Sequence, residues 1–206
     1  MRILIGTPIH QSKDYSMEKW LQNVADLISD SPADLLLVDN SPELAYIEKA
    51  KDYCHKCGIK NYQIKHLALP PEQDKFERIA RSREVIRHEV LSDGYEAWFC
   101  WECDQIIPNN SLEKLVNIME DGNYLLVNPN KWQREAPHQH NYDFGCALIK
   151  REALEKYGFI LNFGTDPDMP TTYELSEYWF KQRIIRDGGK FAQVDGIIDP
   201  IYHLNK

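Results

Sequence analysis

Residues 97–104 read Ala-Trp-Phe-Cys-Trp-Glu-Cys-Asp, an apolar, aromatic-rich run that ends abruptly in two carboxylates. Such a run reads as a buried strand, and a buried strand needs further layers to cover it. Side chains alternate between faces in an extended chain, so Glu102 and Asp104, two apart, point the same way. Acids at the carboxyl end of a buried strand stand where α/β sheets bind ligands. Oxygen donors of this kind suit hard divalent cations such as Mg²⁺ and Mn²⁺. The plainer alternative is a strand running out into a polar turn, because Gln105 and Pro108-Asn109-Asn110 follow.

Ahead of this run the chain alternates strand and helix. Residues 2–6 form a short apolar strand that Gly6-Thr7-Pro8 breaks into a loop carrying His10. Met17, Leu21, Val24 and Ile28 recur at helical spacing between Ser16 and Ser29. Residues 34–39 make a second strand, closing on Asp39-Asn40. Ser41-Pro42 then offers an N-cap and a first-turn proline for a helix that Gly58 ends. Residues 61–69 alternate, with Tyr62, Ile64 and His66 on one face, until Pro70-Pro71 stops them. Residues 74–92 form the next helix around Phe76, Ile79, Ile86 and Val90. Its Arg78, Arg81, Arg83, Arg87 and His88 read as a solvated face paired with Glu77, Glu84 and Glu89.

Beyond the central strand, the pattern predicts a helix from Ser111 to Glu120 ended by Gly122 and a strand at 124–127. A polar loop over 128–143 has the length that usually carries function. Its His138-x-His140 pair could bind a metal only with a third ligand in register. A strand at 144–149, a short helix at 150–157 and a loop of Gly, Pro and Asp over 162–172 follow. The last helix runs from about Thr172 to Asp187, and a strand at 190–194 leads to Ile201-Tyr202-His203. There is no internal repeat and no linker, so residues 1–206 read as one α/β domain.

Composition excludes several function classes. A net charge of −8 argues against broad, nonspecific nucleic-acid binding. No apolar stretch approaches the roughly 20 residues that span a bilayer. The apolar part of Met1–Pro8 is too short for a secretion signal, and the expected location is the cytoplasm. Five cysteines without such a signal read as free thiols. Cys54-x-x-Cys57 lacks the second pair that a zinc site usually needs, and Cys100, Cys103 and Cys146 read as small core residues.

Several separated motifs then fall in one order. A first strand ends in Thr7-Pro8, a second ends in Asp39, and a helix carries Ala80-Arg81-Ser82. A strand ends in Glu102-Cys103-Asp104, another begins Phe144-Gly145-Cys146-Ala147, and an acid-led helix closes on Gly188-Gly189-Lys190. Tyr202-His203 ends the series. From Arg2 to His203 the chain resembles the GT-A glycosyltransferases, particularly the family 2-like, metal-dependent, inverting type. It is close in size to the small GT-A enzymes of some archaeal viruses. It departs from the pattern in having Glu102 as the first acid of the metal motif, Ser82 where asparagine is frequent, and Ser176-Glu177 in place of a Glu-Asp pair. Sugar-nucleotide pyrophosphorylases share the fold type, but their glycine-rich N-terminal signature is missing.

The resemblance implies a mixed, mostly parallel central sheet flanked by helices. It also implies transfer of a sugar from a nucleoside-diphosphate sugar to an acceptor hydroxyl, with Mn²⁺ or Mg²⁺. Asp104 and His203 would ligate the metal, with Glu102 beside them or on the ribose, and Cys103 between the acids at the nucleotide. Thr7 and Pro8 would line the base and ribose pocket. Asp39 would bond the base or ribose unless it merely caps the helix near Pro42. Arg81 would reach the nucleotide or its diphosphate. Glu177 takes the place of the base carboxylate, with Glu174, Asp166 and Asp168 as alternatives, although the helix macrodipole alone favours acids in a first turn. Two other classes compete: a non-catalytic nucleotide-sugar-binding or assembly protein, and a nucleotidyltransferase acting on sugar phosphates.

Overall fold

A computed structural model describes residues 1–129 and 144–205. Among these, the strands are β1 (Ile3–Ile9), β2 (Asp34–Asp39), β3 (Tyr62–His66), β4 (Ala97–Trp101), β5 (Gln105–Ile106), β6 (Leu126–Pro129), β7 (Cys146–Lys150), β8 (Phe191–Val194) and β9 (Tyr202–His203). The helices are α1 (Asp14–Asp30), α2 (Ala45–Lys56), α3 (Lys75–Ser92), α4 (Ser111–Gly122), α5 (Arg151–Lys156) and α6 (Ser176–Arg186). Seven strands form one sheet in the order β3-β2-β1-β4-β7-β6-β8, and β5 and β9 form a separate ribbon. Strands β3, β2, β1 and β4 are mutually parallel, β8 is parallel to β6, and β7 runs antiparallel to both β4 and β6.

The sheet is mostly parallel because its strands are apolar on both faces and need helices above and below. Ile3, Ile5, Leu35, Leu37, Phe99 and Trp101 turn to one core with Met17, Trp20, Leu21 and Val24 of α1. Their alternating neighbours Leu4, Leu36, Val38, Trp98 and Cys100 turn to the other, with Ile86 and Val90 of α3 and Phe180 of α6. The five cysteines are free thiols. No helix among the described residues is long and apolar enough to cross a membrane.

Several boundaries differ from the sequence expectation for reasons that are tertiary. Strand β1 does not break at Gly6-Thr7-Pro8; Thr7 pairs with Leu37 and Pro8 with Val38. The ladder to β4 ends at Gly6 opposite Cys100, so Pro8, which has no N–H, is not asked to bond on that side. Helix α2 starts at Ala45, without a side-chain cap, rather than at Ser41-Pro42. The Ser41 hydroxyl instead accepts the Gln11 N–H at 2.8 Å, tying together the ends of β1 and β2. Helix α4 is stopped by Asn123 in the left-handed region (φ 48°), not by Gly122, which leaves room for the Tyr124 ring.

Gly6 lets α3 and β4 close on β1. A Cβ there would lie 2.3 Å from Ile86 Cγ2 and 2.7 Å from Trp98 Nε1, whose N–H donates to the Gly6 carbonyl at 2.9 Å. Gly6→Ala therefore forces overpacking that typically costs about 1–3 kcal/mol. A urea titration should show a lower midpoint with an unchanged slope; a parental midpoint would mean that α3 yields freely.

Candidate active site

Because β1 to β4 are parallel, their carboxyl ends meet at one edge of the sheet. Strand β7 enters antiparallel, with Cys146 opposite Trp101, and so brings Phe144 and Gly145 to the same edge. Strand β4 stops at Trp101. The Glu102 N–H crosses to the Gly145 carbonyl at 2.8 Å, and the Gln105 N–H folds back to the Glu102 carbonyl at 3.1 Å. Glu102 and Asp104 thus sit in a turn and not on one face of an extended strand, which corrects the alternation argument. They still act on each other. Burial, followed by the charges of Asp104 and Glu177, pushes the Glu102 carboxyl up to about 7, while Arg83 and Lys13 oppose the rise.

Asp104 is only 2% exposed, and its Oδ2 receives the ammonium of Lys13, with the Tyr15 hydroxyl 3.4 Å away. Burial pulls the Lys13 ammonium down, but the hydrogen bond and charge of Asp104 outweigh it, and the net shift is upward. The β5–β9 ribbon brings the C-terminal segment alongside. Gln105 pairs with His203, and the Leu204 N–H donates to the Asp104 carbonyl at 2.8 Å. His203 is therefore held beside the acidic turn rather than frayed. Cys103 is buried, and burial raises its thiol to about 12, as for an inert core residue.

Glu177 reaches this cluster from the first turn of α6. One oxygen pairs with Arg83, and the other accepts the Phe144 N–H at 2.9 Å. Arg83 is 4% exposed, which corrects its reading as part of a solvated face. Arg81 pairs with Glu77 at 2.7 Å at the surface, as that reading expected, whereas Arg87 pairs with Glu84 at 2.6 Å but is largely buried and also donates to the Leu154 and Tyr157 carbonyls. Glu174 lies exposed on the 3-10 turn Tyr173–Leu175 and does not share the site with Glu177. Asp166 takes the Asp168 N–H and pairs with Arg186, both at 2.9 Å, so it organises its own loop. His138, His140 and Asp143 lie outside the described residues.

At the ends of β1 to β3 a second polar group gathers. Asp39 is fully buried; its Oδ1 accepts the Ser41 N–H at 3.0 Å and its Oδ2 accepts His66 Nδ1 at 2.9 Å. It is an Asx turn with a histidine attached, not a cap of α2. The Thr7 hydroxyl donates to the Trp101 carbonyl at 2.7 Å and is fully buried. Arg81, expected at the nucleotide, is held by Glu77. Arg78, one turn earlier, instead reaches the strand ends, bonding the carbonyls of Gln73, Asn40 and Pro70 at 2.9–3.3 Å. Burial and the charge of Arg78 lower the His10 imidazole against the pull of Asp39. Sequence reasoning thus missed Lys13, Arg78, Arg83 and His66. Only the arginine density of α3 hinted at two of them.

A hard cation suits this donor set, because Asp104 and Glu102 are crowded carboxylates already countered by an ammonium and a guanidinium. Among the described residues no three His, Cys, Asp or Glu side chains form a ready-made cage. Cations of this type can be held by one or two carboxylates plus substrate phosphates. The groove lined by Arg2, Asp34, Lys60, Tyr62 and Tyr95 lies at the opposite edge of the sheet, away from these acids.

The sequence matches no family model and no curated protein. Its fold matches solved structures. A mannosyltransferase from Pyrobaculum calidifontis, in complex with GDP-Man and Mn²⁺, has a TM-score of 0.69 at 15% identity over 95% of this chain and 55% of that one. S. aureus TarS has a TM-score of 0.63 at 14% identity, covering 95% of this chain and 35% of its own. A mycobacterial protein has a TM-score of 0.63 at 15% identity over all of this chain and 68% of the other. The chain therefore spans about half the length of the first of these and about a third of the second. The fold is of the GT-A type, as the motif order implied.

Two stability measurements check this geometry. Removing one partner of a buried ion pair typically costs about 3–5 kcal/mol, whereas an exposed pair is worth about 0.2–1 kcal/mol. Arg83→Ala should therefore lower stability several-fold more than Arg81→Ala in parallel denaturant titrations; equal losses would contradict the buried pairing with Glu177. The raised Glu102 carboxyl means that the folded state keeps a proton that the unfolded chain releases at about 4.3. That contribution is complete below about pH 4.3 and is lost as pH rises through about 7, so metal-free protein should lose stability across that window. Glu102→Gln should flatten this part of the melting-temperature profile, and an unaltered profile would refute the assignment.

Proposed function

We propose that the chain is a nucleotide-sugar-dependent glycosyltransferase that moves a sugar from a nucleoside-diphosphate sugar to an acceptor hydroxyl with inversion. The observation that carries this reading is the convergence of Glu102, Asp104 and Glu177, with Lys13 and Arg83, at the carboxyl edge of a GT-A sheet. Two neighbours in fold, the mannosyltransferase in complex with GDP-Man and Mn²⁺ and TarS in complex with UDP-GlcNAc, support a nucleotide sugar as donor.

The chemical difficulty is a diphosphate leaving group that gathers negative charge as the glycosidic bond breaks. Asp104 and His203 would hold Mn²⁺ or Mg²⁺, with Glu102 at its side, and the cation would supply Lewis-acid stabilisation of that charge. The nucleotide would lie along the ends of β1 and β2, over Thr7 and Pro8 and against the Asp39–His66 pair, with Arg78 and Arg81 on its α3 side. Glu177 is assigned as the base. Its charge is felt at Glu102, whereas Glu174 faces solvent. Each Glu177 oxygen holds one partner, the Phe144 N–H or Arg83, and keeps a second lone pair that would take the acceptor's proton. The acceptor oxygen then bonds to the anomeric carbon as the nucleoside diphosphate departs with the bonding pair.

Thermal-shift titration tests this reading. A ligand that binds only the folded state at 100 times its Kd stabilises by about 2.7 kcal/mol. A nucleoside diphosphate with Mn²⁺ should raise the midpoint well beyond either alone, and Asp104→Asn should lose that synergy while folding normally. Unchanged synergy in Asp104→Asn would remove the acidic turn from the site. Release of pyrophosphate instead of a nucleoside diphosphate would place the reaction with the nucleotidyltransferases.

A further inference from the structure

Asp104 carries its own cation. Lys13 ends the 3-10 turn Gln11–Lys13 that follows β1, and its ammonium lies on the same carboxylate that the proposed function gives to a divalent metal. Backbone contacts fix both ends. The Lys13 N–H donates to the His10 carbonyl at 2.8 Å, the Ser16 hydroxyl to the Lys13 carbonyl at 2.7 Å, and the Leu204 N–H to the Asp104 carbonyl at 2.8 Å. The two side chains differ in freedom. Asp104 is 2% exposed and cannot leave, while the Lys13 side chain is 40% exposed on a flexible four-carbon stem.

We propose that Lys13 is a displaceable counter-ion: its ammonium neutralises the buried Asp104 carboxylate when no metal is bound and competes with a divalent cation for it. This rests on the reading of Asp104 as a cation ligand. The physical case has two parts. A buried carboxylate needs a partner, and Lys13 supplies a cation on its Oδ2. An ammonium and a divalent ion on one carboxylate repel each other strongly at such separations, so one must go. Arg83 is not the one displaced, because it is buried and held by Glu177. Lys13, tethered beside α1 with solvent at its rim, can swing out. The acidic turn is thereby kept charge-balanced without metal, and metal occupancy is set against an internal rival as well as by concentration.

The test is Mn²⁺ titration of nucleotide-free protein. An ammonium in place roughly nine-tenths of the time raises the apparent Kd about tenfold. Lys13→Met should therefore bind Mn²⁺ about tenfold more tightly than the parent, and Lys13→Gln should behave alike. In the parent, Mn²⁺ should speed acylation of Lys13 by an amine-reactive ester, read by peptide mass spectrometry, relative to Lys49 as an internal reference. Unchanged or weaker Mn²⁺ binding in both variants, together with an unchanged Lys13 acylation rate, overturns the proposal. If that happens while Asp104→Asn loses Mn²⁺, only the counter-ion role fails. If Asp104→Asn binds Mn²⁺ like the parent, the cation site itself is misplaced.

Discussion

Carboxylates cannot crowd together in a protein interior unless cations stand with them, and this constraint organises the carboxyl edge of the sheet. Glu102, Asp104 and Glu177 come from the β4 turn and from α6, and two cations from two further elements hold them. Lys13 comes from the turn after β1 and Arg83 from the middle of α3. The compensation is uneven. Arg83 is locked in the core of its pair, whereas Lys13 approaches from solvent. Glu102 has neither cation to itself, and its burial first, then the charges of Asp104 and Glu177, raise its affinity for a proton. On the proposed reading, a divalent ion at this turn would take the place of a proton and an ammonium.

The sheet makes this gathering possible. Parallel strands β1 to β4 deliver their ends to one edge, and antiparallel β7 returns to that edge so that the Phe144 N–H meets Glu177. Gly6 and Trp98 allow α3 to sit close to β1, which carries Arg83 and Arg78 over the strand ends. The short β5–β9 ribbon then ties the C-terminal segment back to the turn through Leu204 and Asp104. Solved structures with only 13–15% identity share the overall fold. The fold rests on the alternation of apolar residues more than on particular side chains.

Much of this was legible in the sequence, and the limits are physical. Strand β2 has the boundaries that its apolar run implied, and Asp74 caps α3 where the pattern began. The Glu102-x-Asp104 pair stood out because acids seldom end so apolar a strand. Where the reading failed, the deciding contact was distant in sequence. Thr7-Pro8 extends β1 because Leu37 and Val38 lie beside it, and Ser41 serves Gln11 rather than a helix start. Arg83 looked like its neighbours Arg81 and Arg87 until Glu177, 94 positions later, turned it into a buried partner. Lys13 carried no local signal at all, since nothing near it in sequence marks a lysine aimed at Asp104.

The proposed function requires the turn closing β4 to hold a cation for a nucleoside diphosphate. Its most direct test is anomalous diffraction at the manganese edge from crystals soaked with Mn²⁺ and a nucleoside diphosphate. An anomalous peak is expected within coordination distance of the Asp104 carboxylate, with the diphosphate bound to the same ion and Lys13 moved off that oxygen. A peak elsewhere on the protein, or a diphosphate bound with no ion at Asp104, would contradict it.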